Sequence, residues 1–415
     1  MIEVRDTVLG NGLPLVSLRM PGTRAATVLV AFDAGARTER AEENGMAHFL
    51  EHLVFKGGEL YPTYREVNQT AERLGAQLNA YTSHDAVAFH VTCRAEAVMD
   101  AADLLTDFVG KARLDARELE RERGVVIQEI NRSNDQPASV ASKLLDRAAY
   151  GDHPLGRPVL GPADHLESFG PNAILAFRER RWATGPGGAF LAGDLSGVDE
   201  ARLAELFERF PARPDHDGIE PAPGFERRIL VDARETNQSH LRLHWRAPID
   251  PGELRQRATL AVYTALLGGS MGSRLFDEIR EQRGLCYAIR AVASSHADSA
   301  SVEVASGLDS AKCVEAYRRI REIVAELAED GPKPEEIERA RAYAAGSTVL
   351  ALEGTTAVAA RAAAQKVTFG EIASPEESIG ALDEVTPEGV REVARGVSGA
   401  PAVACVGPHE VPDFE

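Results

Sequence analysis

The chain has 415 residues, more than one hydrophobic core usually supports, so two to four domains are expected. Its 44% hydrophobic and 27% charged residues are ordinary globular composition. No segment reaches the roughly 18 apolar residues of a membrane helix, which argues against a membrane partner. A formal net charge of −18 repels phosphate backbones and so argues against nucleic acid as a partner.

The first twenty residues alternate apolar and polar side chains around an Asn-Gly pair, which predicts a β-hairpin. This start lacks the cationic and apolar blocks of a secretory signal. Cys93, Cys286, Cys313 and Cys405 lie far apart and form no C-x-x-C motif. Their spacing indicates neither a zinc–thiolate site nor a disulfide framework and fits a reducing compartment. The sequence therefore predicts a cytoplasmic protein.

The segment GMAHFLEHLVFKGG, residues 45–58, places polar side chains inside a predicted buried helix. His48 and His52 are four residues apart, so their rings project from one helix face, one turn apart. Two imidazole nitrogens presented in this way suit Zn²⁺, and Glu51 is placed to reach a metal-bound water. The pattern is H-x-x-E-H, the inverted form of H-E-x-x-H. The alternative is a pair of hydrogen-bonded core histidines.

A third zinc ligand is expected on a neighbouring element, because catalytic zinc takes three protein ligands and keeps a fourth position for water. A helix is predicted from about residue 115 to 132. Along it, Glu118, Glu122 and Glu129 form one stripe beside an apolar face. An acidic side chain turned toward a core needs a cationic partner, and a metal ion would serve.

A linker is predicted at residues 212–225, within a stretch rich in proline, glycine and acidic residues. It separates a zinc-binding domain at 1–211 from a second domain at 226–415. Both halves read as a strand, a turn, an apolar helix and a hairpin, with long helical stretches at 95–150, 309–331 and 333–369. The predicted fold class is α+β: two duplicated domains, each a mostly antiparallel sheet flanked by helices.

These motifs resemble those of the pitrilysin family of zinc peptidases, in a short two-domain bacterial form related to the β subunit of mitochondrial processing peptidase. In that family H-x-x-E-H precedes a ligand glutamate in E-R-x-V-V-x-x-E-I. Here 76 residues separate His52 from Glu129, within ERGVVIQEI. The resemblance implies that His48, His52 and Glu129 bind one zinc per chain, that Glu51 is the general base, and that Glu122 supports the site.

Other stretches resemble the family along the whole chain. LNAYTSHD is similar to a segment that holds the substrate backbone on an edge strand. The substrate-binding residues implied there are Asn79, Ala80, Tyr81 and Thr82. In GGSMGSRLFDEIREQRGLCYAI, Arg280 and Tyr287 match an R-x₆-Y pair that reaches the scissile carbonyl in relatives.

The resemblance implies a zinc endopeptidase that hydrolyses peptides or unfolded segments inside a clam-shell chamber. Long relatives have four such domains and this chain has two, so two chains are expected to form the chamber. Because the zinc residues and the Arg/Tyr pair are all present, a homodimer is sufficient, and a heterodimer with a related subunit is the alternative. The alternative function is a non-catalytic structural or peptide-binding subunit.

Overall fold

The computed structural model describes residues 2–182, 187–212 and 218–415, which form two compact units. Unit 1 comprises Met1–Ile130, Pro158–Glu220 and Ala351–Pro375. Unit 2 comprises Asn131–Arg157, Pro221–Leu350 and Glu376–Glu415. The units therefore alternate along the chain, unlike the contiguous division at 1–211 and 226–415. Of the linker at 212–225, residues 213–217 lie outside the described residues.

Among the described residues each unit contains one sheet. In chain order the strands are β1 (Glu3–Val8), β2 (Pro14–Arg19), β3 (Ala25–Phe32), β4 (Gln77–Thr82), β5 (Val87–Arg94) and β6 (Gly188–Gly193) in unit 1, then β7 (Ile229–Ala233), β8 (Gln238–Arg246), β9 (Cys286–His296), β10 (Ser299–Asp309) and β11 (Ala402–Gly407) in unit 2. The first sheet has the order β1-β2-β6-β3-β5-β4 and the second β7-β11-β8-β10-β9. Each has one parallel pair, β2 with β6 and β11 with β7, and is otherwise antiparallel.

The helices lie mainly after the hairpins. In chain order they are α1 (Met46–Val54), α2 (Tyr64–Arg73), α3 (Val98–Gly110), α4 (Ala116–Asn134), α5 (Pro137–Tyr150), α6 (Ala163–Ser168), α7 (Pro171–Arg181), α8 (Glu200–Phe207), α9 (Leu254–Thr264), α10 (Cys313–Asp330), α11 (Pro334–Ala351), α12 (Thr355–Phe369), α13 (Pro375–Asp383) and α14 (Pro387–Gly396). Two π-helical segments, Ala265–Gly269 and Phe276–Gln282, follow α9. The α+β class with two mostly antiparallel sheets is confirmed.

The predicted helical stretch at 95–150 is three helices, α3, α4 and α5, and the two later stretches contain α10, α11 and α12. α5 begins with Pro137 at its first turn, where the missing N–H costs no hydrogen bond. None of the helices in the described ranges combines the length and apolar composition that crossing a bilayer requires.

Helices cover both faces of each sheet. In unit 1, Val28, Val30 and Phe32 of β3 point into the main core. On the other face, Leu29 and Ala31 of β3 pack in the cluster that includes residues of α12. β3 is buried on both faces, which explains its nearly continuous apolar sequence. In unit 2, α5 packs against β7, β8 and β11. Because α5 packs on the second sheet and α12 on the first, residues 131–157 group with unit 2 and residues 351–375 with unit 1.

Candidate metal centre

Helix α1 carries the H-x-x-E-H motif and is anchored in the core of unit 1. Its apolar side chains, among them Phe49, Leu50 and Leu53, are buried. The helix starts after Gly45, whose φ of 100° favours glycine. A Cβ at Gly45 would also lie 2.9 Å from the carbonyl oxygen of Leu160. The packing of this helix therefore fixes the direction in which its polar face points.

The structure brings together the three residues assigned to zinc from the sequence. One ligand atom from each of His48, His52 and Glu129 lies within 4.8 Å of the other two. The Oε2 atom of Glu129, from α4, is 3.9 Å from Nε2 of His48 and 3.5 Å from Nε2 of His52. The two imidazole centroids are 4.7 Å apart. Two ring nitrogens and one carboxylate oxygen thus converge on one small volume.

Glu122 contacts the same group from about two helical turns before Glu129 in α4. Its Oε1 accepts a hydrogen bond from Nδ1 of His52 at 2.9 Å, and its Oε2 accepts one from Nζ of Lys56 at 2.5 Å. Because Nδ1 of His52 donates to a carboxylate, the lone pair of this ring is on Nε2, which faces Glu129. Glu118 instead pairs with Arg121 at 2.5 Å, so the acidic stripe predicted on this helix divides between two roles.

Glu51 is buried beside these residues and has its own hydrogen-bond donor. The hydroxyl of Thr82, at the end of β4, donates to Oε2 of Glu51 at 2.5 Å. Burial raises the pKa of Glu51 above its ordinary value, although the Thr82 hydrogen bond and the neighbouring His52 lower it. A carboxyl group with a raised pKa can both accept and return a proton near neutral pH.

The pKa values of the two imidazoles are shifted in opposite directions. Burial, together with the charge of His52, lowers the pKa of His48 to about 3. Burial also lowers the pKa of His52, but the hydrogen bond to Glu122 and three acidic neighbours outweigh it, and the pKa of His52 is raised. His48 therefore presents a neutral ring, as metal ligation requires.

The residues present fit a zinc ion. When ionised, Glu51, Glu122 and Glu129 place three negative charges at this centre; Lys56 pairs with Glu122, and a divalent cation would balance the other two. Two imidazoles and one carboxylate are a donor set that catalytic zinc takes. The carboxylate–histidine contact between Glu122 and His52 is the kind of support that orients a metal-binding ring.

The proposed substrate-binding residues lie on the outermost strand of the first sheet. Within the described residues, β4 pairs with β5 alone, so its other edge is open. Asn79 is exposed, and its Oδ1 accepts a hydrogen bond from the amide of Ala80 at 2.9 Å. Tyr81 packs beside the core cluster on one face of the sheet. Thr82 ends the strand at Glu51, so the open edge leads to the metal ligands.

Arg280 and Tyr287 contact each other within unit 2. The guanidinium carbon of Arg280 lies 5.5 Å from the ring centroid of Tyr287 and 4.6 Å from that of Phe276. Tyr287 is 82% exposed. An exposed phenol stacked on a guanidinium is available to a ligand, and the role of the R-x₆-Y pair at the scissile carbonyl stays a prediction.

Three residues near the metal centre were not found by the sequence analysis: Lys56, Thr82 as the partner of Glu51, and Glu39. The carboxylate of Glu39 accepts hydrogen bonds from the backbone amides of Gly45 and Ala47, at 2.9 and 2.7 Å, and from the side-chain amide of Asn44 at 3.0 Å. Lys56 follows His52 by four residues, a spacing that could have indicated it. Nothing local in the sequence indicates the other two contacts.

Comparison with known proteins agrees with this geometry. Residues 15–163 match the family described as "Insulinase (Peptidase family M16)", and residues 189–343 match "Peptidase M16 inactive domain". The second match covers the half without an H-x-x-E-H motif. The chain is 31% identical over 385 residues to the "Uncharacterized zinc protease YmxG" of Bacillus subtilis, covering 93% of each. It is 31% identical over 422 residues to an uncharacterized zinc protease of Streptomyces coelicolor, covering 98% of this chain and 90% of the relative.

Solved structures show the same fold. A peptidase M16 inactive domain from Pseudomonas fluorescens superposes with a TM-score of 0.89 at 21% identity, covering 98% of this chain and 99% of that one. A protease from Helicobacter pylori gives a TM-score of 0.87 at 20% identity, covering 98% and 100%. The two family matches span most of the sequence, and the relatives of similar length are named zinc proteases. The chain therefore belongs to peptidase family M16, the insulinase family, in its short two-domain form.

Proposed function

We propose that the chain is a zinc-dependent endopeptidase whose catalytic centre is formed by His48, His52, Glu129 and Glu51. The observation that carries this proposal is the convergence of the three ligand atoms within 4.8 Å beside a buried glutamate. Membership of the M16 family and the zinc-protease names of relatives support a peptidase. The open edge of β4 supports cleavage within a chain, because a strand edge binds backbone and requires no peptide terminus.

Each residue of the centre has a distinct part in the proposed reaction. Zinc held by His48, His52 and Glu129 would supply Lewis-acid polarisation of the scissile carbonyl and a lowered pKa for water. Glu51 takes the proton of the attacking water and delivers it to the leaving amine. The Thr82 hydroxyl holds the Glu51 carboxylate in place during both transfers. Glu122 keeps the Nε2 atom of His52 turned toward Glu129.

The substrate is proposed to be an extended peptide or unfolded segment that adds to β4 along Asn79–Thr82. Arg280 and Tyr287 would stabilise the developing oxyanion, a contribution of several kcal/mol where donors are well placed. By resemblance to the family, two chains would form the chamber, with one zinc per chain and the Arg/Tyr pair of one chain serving the zinc residues of the other. A homodimer is sufficient for this arrangement, and a heterodimer with a related subunit stays the alternative.

The test replaces Glu51 with glutamine. Glu51→Gln keeps the shape of the side chain but cannot accept the proton, so we expect peptide hydrolysis to fall by about 10²-fold or more. Zinc content, measured by elemental analysis, should be unchanged, because Glu51 is not one of the three ligands. Glu42→Gln, at an exposed position just before α1, is the matched control and should keep full activity.

Two outcomes would contradict the proposal. Unchanged turnover in Glu51→Gln would remove the assignment of the base. A wild-type protein that binds zinc and peptides but cleaves no member of a peptide library would instead favour the non-catalytic, peptide-binding alternative.

A further inference from the structure

Unit 2 contains a second convergence of metal-ligand side chains. Cys313, Cys405 and His409 are all buried, and one ligand atom from each lies within 4.8 Å of the other two. Among the described residues this is the same kind of grouping that identifies the centre in unit 1. Buried cysteines alone are commonly small apolar packing residues, but an imidazole converging on two of them is not explained by apolar packing.

The fold, not the local sequence, assembles this group. Cys405 lies in β11 and, like Val403, faces the main core of unit 2. Cys313 is the first residue of α10, which packs in that core, and its thiol hydrogen-bonds that of Cys405. His409 follows β11 and turns back, with its amide donating to the carbonyl of Gly407 at 2.8 Å. Since Cys313 and Cys405 are distant in sequence, their spacing gave no thiolate motif.

A chain of hydroxyl groups fixes the state of the His409 ring. Ser239 Oγ donates to Ser310 Oγ at 2.9 Å, and Ser310 Oγ donates to the carbonyl of Thr236 at 2.9 Å. Because the Ser239 hydrogen is used in this way, Ser239 accepts from Nε2–H of His409, at 2.7 Å. The lone pair of the imidazole is therefore on Nδ1. Ligating histidines typically have their second nitrogen hydrogen-bonded in this manner.

A carboxylate outside the three converging residues lies next to this lone pair and is the candidate for a fourth ligand. Oδ2 of Asp413 is 3.7 Å from Nδ1 of His409. Asp413 belongs to the 3₁₀ turn Val411–Phe414, whose last residue, Phe414, is buried against the rings of Tyr317 and His409. The side chain of Asp413 is 42% exposed, so the group has an opening to solvent through which an ion could enter.

We propose that Cys313, Cys405, His409 and Asp413 form a second zinc site, in unit 2, with a structural role. Two sulfurs, one nitrogen and one oxygen in four positions suit a borderline-soft cation such as Zn²⁺. On binding, each thiol loses its proton to solvent and the thiolate sulfur bonds to the ion, with no change of oxidation state. Four protein ligands close the site, which would fasten the C-terminal turn to β11 and α10.

Cobalt substitution tests the proposal with a signal that the centre in unit 1 cannot give. Cys93 is the only cysteine of unit 1 and lies in β5, outside the His48, His52 and Glu129 group, so a thiolate-to-cobalt charge-transfer band reports cysteine ligation alone. Protein prepared under reducing conditions should bind two Co²⁺ or two Zn²⁺ per chain and show this band. Cys405→Ala and His409→Gln should each bind one ion and lose the band. Cys93→Ala, at another buried cysteine, is the matched control and should retain both.

A reciprocal variant, altered in unit 1, distinguishes the two proposed metal sites. His52→Gln should lose the ion of unit 1 and keep the cobalt–thiolate band, so failure of the proposed peptidase function would leave this result intact. A wild-type chain that binds one ion without the band would overturn the second site. A Cys313–Cys405 disulfide found by mass spectrometry in the reduced preparation would also overturn it. If the alanine variant does not fold, the stoichiometry and the band of the wild type decide between these outcomes.

Discussion

Glu122 has two hydrogen-bond partners at the metal centre, and both are positively polarised. His52 Nδ1 and Lys56 Nζ each donate to one of its carboxylate oxygens. Burial raises the pKa of Glu122, but the His52 and Lys56 hydrogen bonds outweigh it and hold the pKa below its ordinary value. The side chain is therefore ionised at neutral pH and accepts the hydrogen bond from Nδ1 of His52 as a carboxylate. Glu118, four residues earlier, makes an exposed ion pair of the kind that contributes little to stability.

Replacing Glu122 with glutamine should weaken zinc binding. His52 and Lys56 donate to different oxygens of Glu122, and glutamine would present an NH2 donor to one of them, so the orientation of the imidazole is loosened. We expect the zinc affinity to fall about 10- to 100-fold, measured by competition with a chromophoric chelator. Glu118→Gln, on the same helix face, is the control and should bind zinc like the wild type. Equal losses in both variants would show that Glu122 does not act through His52.

At the scale of the element, α1 begins without a side-chain cap. Its N-cap is Gly45, and no side chain at that position can accept from the first amides of the helix. Glu39, which lies outside the helix, caps it instead by accepting hydrogen bonds from the amides of Gly45 and Ala47. Burial raises the pKa of Glu39 to about 8, although its three N–H donors lower it. The helix that carries the H-x-x-E-H motif therefore starts from a tertiary contact.

Glu39→Ala should destabilise the N-terminus of α1. The substitution leaves buried N–H groups without an acceptor, which costs about 1–3 kcal/mol of unfolding free energy. We expect a loss of that size in chemical denaturation, accompanied by weaker zinc binding because Ala47 precedes the ligand His48. Glu42→Ala, at an exposed position, should change neither quantity. Normal stability in Glu39→Ala would mean that water or another group replaces the contact.

A second element, α5, places an acid against the sheet of unit 2. Burial raises the pKa of Asp146 well above its ordinary 3.8, the charge of Glu303 raises it further, and Arg242 lowers it in part. At a pH between the two pKa values, Asp146 is therefore protonated in the folded state and ionised in the unfolded chain. Stability from this group is complete below the unfolded pKa and is lost as the pH rises toward the folded pKa.

Asp146→Asn should remove the loss of folding stability that Asp146 causes as the pH rises. We expect the variant to match the wild type near the unfolded pKa of 3.8 and to exceed it at higher pH. The gain should grow as the pH rises toward the folded pKa of Asp146, because the wild type progressively loses its proton-linked stability over that range. Denaturation curves over a range of pH measure it. Asp152→Asn, at an exposed aspartate just after α5, should follow the wild type. A variant with the wild-type pH profile would show that Asp146 is ionised in the folded protein.

At the scale of the whole molecule, the ligand triad and the Arg/Tyr pair belong to different units. His48, His52 and Glu129 are in unit 1, whereas Arg280 and Tyr287 are in unit 2. Arg280 and Tyr287 lie within residues 189–343, which match the family's inactive domain, yet they form an exposed tyrosine stacked on an arginine. The proposed two-chain chamber gives that pair a function in a partner chain.

Mixing two inactive variants should restore activity if sites are shared between chains. Glu51→Gln and Tyr287→Phe each damage both sites of a homodimer, but a mixed dimer has one complete site. Random exchange makes half of the dimers mixed, so about a quarter of the wild-type activity is expected. Each variant incubated alone is the control. Mixed dimers that form by mass analysis but cleave no peptide would contradict the shared site.

The sequence by itself determined which residues were expected at the candidate centre in unit 1. The spacing of His48 and His52 places their rings on one helix face, because helical periodicity is a local property of the chain. Glu129 was singled out from the acidic stripe only by resemblance to the family motif in ERGVVIQEI. Only the tertiary structure decided the rest. It separated Glu122 from Glu118, brought Thr82 to Glu51, distributed the long helices between the units, and joined Cys313 to Cys405 and His409. These contacts join residues that share no local period, so they depend on how helices cover the sheets, which hydrophobic burial fixes over the whole unit.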